Sequence, residues 1–122
     1  MKKIILCLCT LFLLSACEGN QTQRVINSFT PDVPNHFHFV VFYENAIPDA
    51  AYQSTLKGMK VFLARKNIQS NISYQKIATK KRDYNESLQV QDKQVIVFDY
   101  KGIRFNARNV KVLEGMILQV TR

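Results

Sequence analysis

The sequence predicts an α/β fold, a mixed sheet with flanking helices, and three observations carry the prediction. His36 to Tyr43 (HFHFVVFY) and Gln94 to Tyr100 (QVIVFDY) are continuous aromatic and β-branched runs, the pattern of strands buried on both faces. Between them, Tyr52, Leu56, Met59 and Leu63 recur at spacings of four, three and four, which places them on one helical face. Lys101-Gly102 then marks a tight turn into Ile103 to Arg108. A helix joining two strands implies a right-handed parallel crossover, and a tight turn implies an antiparallel pair. The sheet is therefore mixed, with helices covering it.

The elements follow in chain order. Met1-Lys2-Lys3 is basic, and Ile4 to Leu14 is apolar except for Thr10, a run too short to span a bilayer as a helix. This is the pattern of a secretory signal. Its end, Leu14-Ser15-Ala16-Cys17, resembles the lipobox of bacterial lipoproteins. That resemblance implies cleavage before Cys17, a diacylglyceryl group on its sulfur and often N-acylation, so residues 1–16 are expected to leave. Two or three acyl chains make a lasting membrane anchor.

Residues 17–35 then read as the lipidated cysteine and a flexible tether, polar and containing Gly19, Pro31 and Pro34. Such a tether has an r.m.s. reach of roughly 20–25 Å. Glu18 stands where Gram-negative lipoproteins retained at the inner membrane carry Asp, so the resemblance points to the outer membrane, facing the periplasm, if the source has one.

The folded domain is expected over residues 36–122. After the first strand, Ile47-Pro48-Asp49 opens a helix to about Lys66, with Asn67 closing it. Ile72 to Ala78 alternates as a strand. Residues 79–92 are polar, with a short helix around Tyr84 to Leu88. The second buried strand and the hairpin partner follow. Asn109 caps a last helix carrying Val110, Leu113, Ile117 and Val120 on one face. The order is β-α-β-(α)-β-β-α.

This order resembles the thioredoxin-like fold, with VIVFDYKGIRFNAR lying where small thioredoxin-like domains have a strand, a glycine turn and a second strand. Oxidoreductases of that fold carry Cys-x-x-Cys after the first strand and a cis-proline before the third. Here those stretches read Tyr43 to Pro48 (YENAIP) and Gln91 to Gln94 (QDKQ), without cysteine or the proline. Cys7 and Cys9 precede the cleavage point and Cys17 takes the lipid, so the mature chain has no free thiol. Thiol redox chemistry, disulfides and thiolate metal sites are excluded on that reading.

Charge is the most informative remaining feature. The chain has a formal net charge of +8. Residues 50–82 hold Lys57, Lys60, Arg65, Lys66, Lys76, Lys80, Lys81 and Arg82 and no acid. This segment is either a solvated face or a surface for anionic lipid, wall polymer or an acidic envelope protein. Nucleic acid is a poor partner, because no aromatic platform is interleaved with the charges.

The other candidates have structural readings beside the chemical ones. His36 and His38 share a strand face at a spacing that suits a metal, but no cysteine or carboxylate adjoins them, and buried neutral histidines are expected. Glu44 and Asp49 flank the loop where α/β sheets place a ligand crevice, and they equally suit helix capping. Asp99 suits support of the turn after it. Ser28, Ser54, Ser70, Ser73 and Ser87 lie in no nucleophile-elbow pattern, and no phosphate-binding glycine loop occurs.

The expectation is a membrane-anchored, non-catalytic envelope lipoprotein without cofactor, binding a protein or an anionic envelope component. Two alternatives stand beside it. One is a small lipoprotein subunit of a secretion, conjugation or surface-exclusion machine. The other is an enzyme using His36 or His38 with a carboxylate.

Overall fold

The computed structural model describes residues 22–120. The lipobox and the first residues of the expected tether lie outside them. The next residues depart from the tether expectation, because residues 22–29 form a helix, α1. Val25, Ile26 and Phe29 make its apolar stripe, and Phe29 is buried against the sheet. An apolar stripe held against a sheet costs less in water than the same stripe on a free tether.

The remaining elements are β1 His36–Tyr43, α2 Ala50–Ala64, β2 Gln69–Lys76, α3 Tyr84–Leu88, β3 Val95–Asp99, β4 Gly102–Ala107 and α4 Val110–Val120. The sheet order is β2-β1-β3-β4. β1 and β2 are parallel, while β1–β3 and β3–β4 are antiparallel. This is the mixed α/β sheet read from the sequence, compatible with the thioredoxin-like arrangement.

Local chemistry sets the boundaries. The Asp49 carboxylate accepts from the Tyr52 amide at 2.9 Å and caps α2. Asn67, at φ 62°, closes that helix, with Asn67 N bonded to Ala64 O and Ile68 N to Leu63 O. The Asn109 side-chain oxygen accepts from Val112 N at 3.0 Å and starts α4. β2 begins three residues earlier than the alternation indicated. The Gln69 amide bonds to Asn35 O at 3.0 Å, and pairing with β1 then runs from His36↔Gln69 to Tyr43↔Lys76. Inter-strand hydrogen bonds, more than side-chain alternation, define this edge strand. The hairpin loop is Tyr100-Lys101, one residue before the expected turn, and the Asp99 carboxylate accepts from Lys101 N at 2.8 Å within it. Gly102 opens β4 at φ 121°, and a Cβ there would meet Ile26 of α1 at 3.7 Å.

The sheet has two covered faces. On one, Phe39, Val41, Val95 and Val97 pack under Leu56 and Leu63 of α2 and Leu113 and Ile117 of α4. On the other, Val40, Phe42, Ile96 and Phe98 pack under Phe29 of α1 and Tyr84 of α3. Residues Phe39 to Phe42 have no exposed surface, as the continuous apolar run implied. α3 is only five residues long, so α1 supplies much of the second layer.

Candidate functional site

α1 and α3 lie side by side on the second face. The Thr22 hydroxyl donates to the Ser87 carbonyl at 3.1 Å, and the Phe29 and Tyr84 rings are 5.7 Å apart. Between the two helices opens a cleft of about 700 Å³ lined by Arg24, Val25, Ser28, Lys81, Arg82, Asp83, Tyr84, Glu86 and Ser87. Three cations from two distant stretches of chain meet there.

The basic triplet sits on a closed turn. Thr79 N donates to Arg82 O at 2.8 Å, and the Thr79 hydroxyl accepts from Lys81 N and Arg82 N at 3.3 and 3.1 Å. Tyr84 N bonds to Ile77 O at 2.8 Å, and Ala78 and Asp83 form an antiparallel bridge. Residues 77–84 are thus a compact excursion that displays Lys80, Lys81 and Arg82 to water. The Arg82 guanidinium donates to the Tyr84 hydroxyl at 3.0 Å, a bond that pushes its pKa further up and steers the cation toward the cleft. Of the two carboxylates in the wall, Asp83 accepts from Asn85 N and Glu86 N and so serves as the cap of α3.

The structure divides the basic segment read from the sequence. Lys57 and Lys60 are exposed on α2, across the sheet from the cleft, and Lys66 Nζ stands 5.3 Å from the Phe62 ring centroid. Arg65 and Lys66 precede β2 while Lys76 ends it, so the strand separates them by roughly 23 Å. The eight cations do not form one patch. Only Lys81 and Arg82 line the cleft, with Lys80 beside them, and Arg24 joins from a segment that a charge count over residues 50–82 leaves out. The spacing of Val25, Ile26 and Phe29, one helical turn, was the signal that could have placed Arg24 on a packed helix.

The histidines have partners. His38 Nδ1 lies 2.8 Å from the Phe29 carbonyl oxygen, which only accepts, so Nδ1 carries the proton. Nε2 then accepts from the Ser73 hydroxyl at 2.9 Å. His36 Nε2 lies 3.2 Å from Asn71 Nδ2. The carboxylate partner expected for a histidine-dependent enzyme is thus replaced, at His38, by a backbone carbonyl and a serine. Among the described residues no group of three or more His, Cys, Asp or Glu is placed to hold a metal ion.

At the far end of β1, where the resemblance places redox chemistry, the groups are tied up structurally. Glu44 N donates to Asp92 Oδ1 at 2.9 Å, and Lys93 N to Phe42 O at 2.7 Å. The Tyr52 hydroxyl donates to Lys93 O at 2.6 Å. Burial, then Tyr74 and the Asp92 charge, push that phenol far above its ordinary range.

No family model matches the chain, and no curated protein or solved structure matches it.

Proposed function

We propose that the chain is a lipid-anchored, non-catalytic protein of the bacterial envelope that binds an anionic envelope component through the cleft bearing Arg24, Lys81 and Arg82, with Lys80 beside it. The observation that supports this is the convergence of cations from α1 and from the 77–84 excursion on one water-open cleft. The sequence supplies the anchor, through Leu14-Ser15-Ala16-Cys17, and its cysteine usage speaks against thiol chemistry. Purification of the tagged full-length chain from membranes in gentle detergent, with mass spectrometry of lipid, polymer and protein, tests the reading. An anionic component lost in high salt and after Lys80→Glu, Lys81→Glu and Arg82→Glu is the expected result. A single stoichiometric protein held at high salt would overturn it in favour of a machine subunit.

A second reading has one specific observation behind it. Ser73 Oγ, His38 Nε2 and the Phe29 carbonyl at Nδ1 stand in the order of nucleophile, base and orienting group, at 2.9 and 2.8 Å. A fluorophosphonate probe tests it: covalent labelling lost in Ser73→Ala supports a hydrolase, and an unlabelled folded chain removes that reading.

A further inference from the structure

We propose that the basic edge formed by Arg24, Lys80, Lys81 and Arg82 docks on the anionic phospholipid surface of the very membrane that holds Cys17. The inference rests on the lipid-anchored reading above and names the partner of its cleft. Thr22, the first described residue, already belongs to α1, and five residue steps separate it from Cys17. Fully extended, they span at most about 18 Å. That is a short leash, and its attachment point is fixed, because Thr22 is bonded to Ser87 in the wall of the basic cleft. The chain leaves the domain beside its own cations.

The edge next to the anchor therefore presents Arg24, Lys80, Lys81 and Arg82, all exposed. It also carries Asp83 and Glu86, the first occupied in capping α3, so cations outnumber carboxylates. A short leash keeps these groups within reach of the leaflet, where an anionic surface potential acts over about one Debye length. Arg65 and Lys66 precede β2, roughly 23 Å along the strand from Lys76, and so stand apart from this edge. Docking would lay the second helical layer toward the bilayer and leave α2 and α4 facing outward.

The test uses the full-length chain purified from membranes and reconstituted into phosphatidylcholine vesicles, with and without a third of phosphatidylglycerol. Cys17 is the sole cysteine after cleavage, so one introduced cysteine gives a clean reporter. Ser28→Cys reports the cleft, where Ser28 is exposed, and Lys57→Cys reports the outward layer. A membrane-impermeant maleimide is expected to modify position 28 about five-fold more slowly when phosphatidylglycerol is present, and position 57 at one rate throughout. High salt, or Lys80→Glu, Lys81→Glu and Arg82→Glu together, should abolish the difference. Equal rates at position 28 in both vesicles, with an acylated Cys17 peptide by mass spectrometry, would overturn the docking alone. An unacylated Cys17 peptide would overturn the anchored reading and this inference with it.

Discussion

Ser70 and Tyr52 show how differently two buried polar side chains are handled. The Ser70 hydroxyl, on the β2 face shared with Ile72 and Tyr74, is buried with no hydrogen-bond partner. An unpaired hydroxyl carries its desolvation cost without return, so Ser70→Ala is expected to raise stability by up to about 1 kcal/mol in urea unfolding. A clear loss would mean that the hydroxyl is bonded. Tyr52 instead donates to Lys93 O at 2.6 Å, and burial holds its proton past the pH at which an unfolded phenol releases it. A raised folded pKa stabilises fully below the unfolded value, near pH 10, and that contribution is lost as pH rises beyond it. Stability is therefore expected to fall above about pH 10, and Tyr52→Phe to flatten the fall. Tyr74 is raised in the same direction by burial, so the slope shrinks without vanishing. An identical slope in the variant would show that the decline arises elsewhere.

Among the elements, α1 and α2 give opposite lessons. α2 was legible except at its ends: the Tyr52-Leu56-Met59-Leu63 stripe and the Asn67 stop are properties of neighbouring residues, but the helix runs from Ala50 to Ala64, with Pro48 ahead of the Asp49 cap instead of in the first turn. α1 left only a faint signal, the one-turn spacing of Val25, Ile26 and Phe29, because these three sit among polar residues and their packing partners, Phe42, Tyr84 and Phe98, lie far along the chain. The candidate site was half legible for the same reason. Lys80, Lys81 and Arg82 are visible as a charge run, whereas Arg24 counts only once α1 is seen to pack. Phe29→Ala should cost about 3 kcal/mol, since it empties the contact among four rings and His38. A loss below about 0.5 kcal/mol, the range of surface substitutions, would show that α1 is not part of the core. Gly58, in the middle of α2, has open space where a methyl group would stand, with no atom within 4 Å apart from its chain neighbours and its own helix backbone, so Gly58→Ala should add roughly 0.5–1 kcal/mol. A decrease by the same unfolding measurement would reveal a neighbour at that face.

For the molecule as a whole, stability and charge are separable. The two cores lie on opposite sheet faces, and the basic side chains of the cleft are exposed, except for the Arg82 bond to Tyr84. Reversing Lys80 and Lys81 alone should leave the urea midpoint shifted by less than about 0.5 kcal/mol equivalent while removing affinity for an anionic component. A large loss of stability would make the turn a structural element first. α1 also gives the fold an order in time. Among the described elements it comes first in the chain, yet Phe29 packs on Phe98, so the second layer cannot close until the third strand is in place. Until then the helix is a ligand waiting for its receptor, and only β4 and α4 follow the strand that completes that receptor.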